Sequence, residues 1–163
     1  MGMRVALAGD HAGFALKERL RAHVASLGHE AIDLGAYDRS PSDYPDHAEA
    51  AGRAILEGRA DRAILACGSG VGVAAAANKI PGILAGLCHD HYSAHQGVEH
   101  DAMNVLALGA RVVGEALALE LAEAFLAARF DGAARHARRV AKVRALEARL
   151  LEGKGKSGGE SSA

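Results

Sequence analysis

Cys67 stands where an apolar run, Ala63–Ala66, breaks into a turn carrying glycines at 68, 70 and 72. An alanine-rich segment follows, so residues 62–79 read as a strand, a glycine turn and the start of a helix. The backbone N–H groups of such a turn stay open to an anion. A thiol beside that cradle suggests chemistry on an anionic or anion-forming small molecule. Other reactive side chains flank similar junctions. Asp10 and His11 follow the run at 4–8, Asp43 and Tyr44 follow the run at 30–34, and Arg111 follows the run at 105–108. His100, Asp101 and Asn104 sit just before that last run. Arg135 and Arg139 fall one helical turn apart and so share a face. Arginine forks of that kind suit a phosphate.

Each of these residues also has a plain structural use. A lone cysteine at a strand end is commonly a small packed hydrophobe. Asp10 is suited to capping the first helix. A glycine turn between strand and helix is common in parallel-sheet proteins, and a run of arginines is often a solvated face. That last use is the one expected for Arg138, Lys142 and Arg144.

Strand-like and helix-like segments alternate along the chain. Strands are expected at 4–8, 30–34, 62–67, 83–88 and 105–108, and helices at 13–27, 46–57, 71–78, 91–99 and 114–129. This alternation predicts a parallel sheet covered by helices on both faces. Ligands of such sheets bind outside the carboxyl ends of the strands. The loops at 9–13, 35–45, 67–72, 89–91 and 109–111 are therefore where a site is expected. A further helix at 134–151 has no strand to return to. Val140, Val143, Leu146 and Leu150 recur along it at helical spacing, which predicts that it reaches across a subunit interface. Residues 1–152 then form one domain, and 153–163, rich in Gly, Ser and Lys, read as a disordered tail.

A chain of 163 residues, half of them apolar, can bury a sizeable single core. It has no Trp and only three Phe and three Tyr, so Ala, Leu, Val and Ile must do the packing. Two cysteines make no disulfide framework and fit a reducing, cytoplasmic setting. No secretory signal and no membrane-spanning run are expected. Charge is uneven: residues 1–133 hold 11 basic and 17 acidic groups, and 134–163 hold 8 and 3. The basic end could bind nucleic acid, supply arginines to a phosphate site, or dock on an acidic neighbour. No aromatic platform accompanies it, which favours the latter two uses and no nucleic-acid partner.

Six segments together resemble one family. They are Gly-Asp-His-Ala-Gly-Phe at 9–14, Asp-Tyr-Pro at 43–45, Cys-Gly-Ser-Gly-Val-Gly at 67–72, Ala-Asn-Lys at 77–79, the run from His100 to Arg111, and Arg-His-Ala-Arg-Arg-Val at 135–140. In order and in register over about residues 3–150, they are similar to ribose-5-phosphate isomerase B, the family shared with galactose-6-phosphate isomerase subunits. The resemblance implies an α/β, Rossmann-like three-layer sandwich, with five parallel strands, helices on both faces and an extra C-terminal helix. It implies interconversion of aldose and ketose phosphates with no metal or other cofactor, by a homodimer or dimer of dimers.

Roles follow from the resemblance residue by residue. Cys67 is the base that moves a proton between C1 and C2, since Val73 stands where another branch of the family carries a glutamate. Thiolate is the basic form, and helix N-termini favour it. Gly68, Ser69, Gly70, Val71 and Gly72 would present N–H groups to an enediolate oxygen, with the Ser69 hydroxyl assisting ring opening. Ring opening falls mainly to His100, with Asp10 beside it, because imidazole titrates near neutral pH. His11 and Arg111 lie toward the phosphate, and Arg135 and Arg139 complete a neighbouring subunit's pocket. Tyr44 lines the sugar, and Asn104 holds the loop after His100. Asp101 is a departure: many relatives carry Asn there, whose amide can donate, whereas an ionised Asp cannot. Either the Asp101 carboxylate binds substrate by accepting from a sugar hydroxyl, or the substrate differs, or the side chain is turned away, which leaves the sugar open between pentose and hexose phosphates.

His91 and His95 are spaced i, i+4, and His89 is near, but no third ligand has metal-site spacing. They are expected to form a polar helix at the sheet edge. Two other classes of function compete with an isomerase. One is a sugar-phosphate-binding regulator, which would not need the thiol. The other is a thiol hydrolase with Cys67 as covalent nucleophile, which would need a base beside the sulfur.

Overall fold

The computed structural model describes residues 2–156 of the chain. Among them β1 (Arg4–Gly9), β2 (Glu30–Asp33), β3 (Arg62–Cys67), β4 (Ala85–Leu87) and β5 (Val105–Gly109) form one sheet. Its order is β2-β1-β3-β5-β4 and every pairing is parallel. The helices between and after them are α1 (Phe14–Ser26), α2 (Tyr44–Leu56), α3 (Val71–Ala77), α4 (His91–Asp101), α5 (Glu115–Ala127) and α6 (Ala134–Lys156). The expected α/β, Rossmann-like sandwich is what the chain adopts.

Strand side chains alternate between two different cores. Val5, Leu7, Ile64, Leu106 and Leu108 face α1, α4 and α5, where they meet Leu20, Val98, Leu121 and Phe125. Ala6, Ala8, Ala63 and Ala107, with Leu65 and Cys67, face the alanines and Val73 of α2 and α3. Large residues fill one layer, and small ones let the other pair of helices come close to the sheet. Leu7, Leu65, Leu106 and Leu108 are all 0 % exposed; burial of each such side chain stabilises the fold by about 1.5–3 kcal/mol.

Lys17 on α1 is 0 % exposed at its side chain, and its Nζ meets Asp33 (2.6 Å), Glu18 (2.9 Å) and the Ala36 carbonyl (2.8 Å). It pins α1 to the segment that leaves β2. No helix among the described residues is long and apolar enough to cross a membrane.

Several element ends differ from expectation, most visibly at β4, α2, α4 and α6. β4 is shorter because side-chain amides replace the ladder at its start. Asn104 Oδ1 accepts from Leu84 N–H and its Nδ2 donates to Gly82 O, while Asn78 Oδ1 accepts from Ala85 N–H. Asn104 therefore holds residues 82–84, not the loop after His100. α2 starts at Tyr44 because Asp43 is extended (φ −92°, ψ 120°) and Pro45 suits the first turn. α4 continues through Asp101 to Ala102 (φ 55°), which places His100 and Asp101 in its last turn. α6 continues past Leu151 to Lys156, and the remainder of the expected tail, 157–163, lies outside the described residues. Along α6, Val140 is 7 % exposed, but Val143, Leu146, Leu150 and Leu151 are between 50 and 62 % exposed.

Candidate active site

The sheet order reverses between β1 and β3: the chain leaves β1 for β2 on one side and returns to β3 on the other. A crevice opens at the carboxyl ends of strands at such a point. The loop after β1 and the turn after β3 meet here. Asp10, His11, Tyr44, Cys67, Ser69 and Arg111 line a cleft of about 360 Å³, together with Gly68 and Gly72.

Cys67 ends β3 on the small-residue face, 4 % exposed, and its Sγ accepts the Gly70 N–H at 3.1 Å. Gly70 has φ +80°, a left-handed conformation that glycine adopts without strain. The Val71 N–H goes to Ser69 Oγ (3.2 Å). Gly70 and Val71, expected to offer N–H groups to a substrate oxygen, thus spend them on the turn itself. Among the described residues, the N–H groups of Gly68, Ser69 and Gly72 meet no protein acceptor. The Tyr44 ring lies directly on Gly72, where any Cβ would stand 2.9 Å from Tyr44 Cζ.

Asp10 is 8 % exposed, and its Oδ1 accepts the Ala12 and Gly13 N–H groups, both at 3.0 Å. That is the helix-capping use expected from its position, and the residue faces the cleft as well. The Ser42 N–H donates to His11 Nδ1 (3.2 Å) and draws the loop after β2 to the site. Arg111 N–H donates to Gly68 O (3.0 Å) and Ala110 N–H to Cys67 O (2.8 Å), which clamps the loop after β5 onto the cysteine turn. The Arg111 guanidinium lies over Gly68, 3.1 Å from where a Cβ would be. The second thiol, Cys88, is buried away from this cleft, and burial pushes it above the ordinary thiol range, with Asp90 adding to the effect.

His100, Asp101, Arg135 and Arg139 are not in this cleft. His100 and Asp101 end α4 ahead of the amino end of β5, and Arg135 and Arg139 lie on α6, which packs against α4. Val105 pairs with Ala63 and Gly109 with Cys67, so the length of β5, about 16 Å at ~3.3 Å per residue, separates the two groups. A residue just before a parallel strand lies at the strand's amino end, which is why sequence adjacency misplaced His100. Asp101 and Arg139 instead line a second cleft of about 450 Å³, with Cys88, Gln96, Met103 and Val143, while His100 and Arg135 meet at His136, on which His100 stacks and to which Arg135 donates. One chain therefore presents two separated groups, a thiol half and a histidine–arginine half.

The histidine half contains residues that the sequence did not single out. His136, 2 % exposed, stacks on His100 with centroids 4.0 Å apart and planes at 28°. Its Nδ1 donates to Asp131 (2.8 Å), and its Nε2 accepts from Arg135 Nε (2.9 Å). The Ala133 N–H and then His136 hold the Asp131 carboxyl below the usual carboxylate range. Ligand atoms of His100, Asp131 and His136 lie within 4.8 Å of one another, a spacing compatible with a metal ion. Both nitrogens of His136 are engaged in hydrogen bonds, however, so we read the group as a hydrogen-bonded stack. Gln96 Nε2 lies 2.9 Å from His100 Nδ1; the i, i+4 spacing on α4 was the signal available for that pair. His91 and His95, stacked at 6.3 Å, behave as a polar helix face, with His95 paired to Glu99 (3.1 Å). His89 Nε2 accepts the Gly109 N–H (2.9 Å) and so supports the end of β5.

Fold and cleft together define a Rossmann-like α/β protein with a thiol, a carboxylate and an arginine at its switch point. Comparison with known proteins then gives the family. The model of the ribose/galactose isomerase family matches residues 5–143. Ribose-5-phosphate isomerase B of Escherichia coli is 42% identical over 146 residues, covering 90% of this chain and 97% of that protein. D-erythrulose-4-phosphate isomerase 2 of Mycolicibacterium smegmatis is 41% identical over 153 residues, covering 90% and 99%. The structure of Clostridium thermocellum ribose-5-phosphate isomerase B superposes with a TM-score of 0.88 at 40% identity, covering 91% of this chain and 99% of that one. The chain belongs to the ribose/galactose isomerase family, and so to the enzymes that interconvert aldoses and ketoses.

Proposed function

We propose that the protein interconverts D-ribose 5-phosphate and D-ribulose 5-phosphate through a 1,2-enediolate, without a metal, with Cys67 as the base. The observation that carries this reading is the cleft itself, where Cys67, Asp10, Ser69 and Arg111 converge. The Cys67 thiolate takes the proton from C2 of the open-chain aldose and returns it to C1, while the hydroxyl proton passes from O2 to O1. Negative charge on the carbonyl oxygen is met by the N–H groups of Gly68, Ser69 and Gly72. His11 and Arg111 hold the phosphate, whose binding energy keeps the carbon chain against the sulfur. The two free thiols fit a cytoplasmic setting.

Two copies are required in this reading. His100, Arg135 and Arg139 lie a strand's length from their own chain's Cys67, and the apolar stripe of α6 is exposed. A homodimer, or dimer of dimers, in which the histidine half of one copy closes on the thiol half of the other supplies a complete site. Arg135 and Arg139 then join the phosphate, and His100 shares ring opening with Asp10 of the other copy. The alternative sugars are galactose 6-phosphate and allose 6-phosphate. The relative named for D-erythrulose 4-phosphate adds a four-carbon candidate. Values of kcat/KM measured across these sugars decide among them.

The test is Cys67→Ala. It is expected to lower kcat by at least 10²–10⁴-fold, roughly the contribution of a positioned base, while the variant still binds a phosphorylated sugar acid. Wild-type turnover in that variant would remove the thiol from the chemistry.

A further inference from the structure

We propose that Asp101 and Gln96 together fix His100 as the neutral tautomer protonated on Nε2, so that it meets the sugar ring as a hydrogen-bond donor and not as an imidazolium acid. The inference rests on the reading above that His100 takes part in ring opening. Gln96 Nε2 lies 2.9 Å from His100 Nδ1 and 3.3 Å from Asp101 Oδ2. A carboxylate only accepts hydrogen bonds. The end of the Gln96 side chain that faces it must therefore be the amide NH₂, and the second N–H of that group points at His100 Nδ1. A ring nitrogen that receives an N–H carries no proton, so the proton of the neutral ring sits on Nε2.

The departure at position 101 gains a purpose here. An Asn would present either of its amide atoms, and Gln96 could then turn over and offer its carbonyl to an Nδ1–H. Asp101 removes that freedom. His136 does not compete for the role, because its nitrogens are held by Asp131 and Arg135 and only its ring face meets His100. It fixes the plane of the ring, while Gln96 fixes its proton. Gln96 and Asp101 are positioning residues, since they act through His100.

The chemistry follows. In a closed aldofuranose phosphate, Asp10 of the second copy takes the O1 hydroxyl proton and passes it to ring oxygen O4 as the C1–O4 bond breaks and the C1 carbonyl forms. The His100 Nε2–H donates to O4 while charge develops there, and His100 is unchanged at the end. A neutral imidazole suits this use, because it supplies a donor without binding the departing oxygen as an ion pair.

The test has two arms on the intact enzyme. In ¹⁵N-histidine-labelled protein, with His100 assigned by comparison with a His100→Asn sample, the ring is expected as the Nε2–H tautomer at neutral pH. Gln96→Leu and Asp101→Asn should each give a mixture of tautomers. In the second arm, Gln96→Leu is expected to slow turnover of ribose 5-phosphate roughly tenfold, a part of what a positioned acid or donor typically contributes. Solvent deuterium should still enter C1 of ribulose 5-phosphate, which is open-chain and needs no ring opening, at the wild-type rate. An Nδ1–H ring or an imidazolium in the unmodified enzyme, or equal loss of both rates in Gln96→Leu, overturns the proposal. The spectrum needs no substrate, so its failure is distinct from failure of the isomerase reading.

Discussion

Arg111 is placed by its backbone and, among the described residues, not by a partner for its charge: its N–H is bound to Gly68 O and its guanidinium lies over the cysteine turn. A planar fork in that position can take two oxygens of a phosphate, which an ammonium cannot. Arg111→Lys is therefore expected to raise KM for a sugar phosphate about tenfold and leave kcat within a few-fold, as read from initial rates. An unchanged KM would take Arg111 out of phosphate binding. At this scale the thiol half of the site was legible, because Asp10, His11, Cys67 and Arg111 each follow an apolar run, and parallel strands bring their carboxyl ends together. Gln96, Asp131 and His136 were not. Their roles depend on which nitrogen faces which oxygen, and spacing alone does not carry that information.

Helices and strands were legible where apolar periodicity is strong, and the ends moved where a single side chain replaced a backbone partner. Asn78 and Asn104 shortened β4 in this way, and Asp43 with Pro45 set the start of α2. Sheet order was not legible, because parallel pairing joins segments far apart in sequence, and with it went the placement of His100. The joint between α1 and β2 is electrostatic. Hydrogen bonds from Arg21 and then Lys17 hold the Glu18 carboxyl well below its ordinary 4.5, at about 2. A carboxylate depressed in the folded state stabilises the fold above its unfolded value, and that contribution is lost as pH falls through the folded one. Stability from this group should therefore be complete above about pH 4.5 and vanish toward pH 2. In urea titrations, Glu18→Gln is expected to flatten the fall in stability over that window and to leave the neutral-pH slope alone. The side chain is 32 % exposed, so solvent screens the effect. An equally steep fall in the variant would show that Glu18 is not the group responsible.

The whole molecule is half of a functional unit in this account. It carries the thiol cleft at the carboxyl ends of its strands and, around the last turn of α4, the cluster of His100, His136 and Arg135 beside the cleft that Asp101 and Arg139 line, and α6 leaves Val143, Leu146 and Leu150 in solvent. Twofold symmetry would use both clefts twice, giving two sites per dimer, each built from both copies. The direct measurement is subunit complementation. Cys67→Ala and His100→Ala proteins, each assayed alone with ribose 5-phosphate and then after their subunits are mixed and exchanged, report whether the two residues serve one sugar from different chains. Each parent should be inactive. In an equal mixture half the dimers carry one intact site of two, so activity should return to about a quarter of wild type. A mixture as inactive as its parents, or wild-type turnover by either parent alone, would contradict the account.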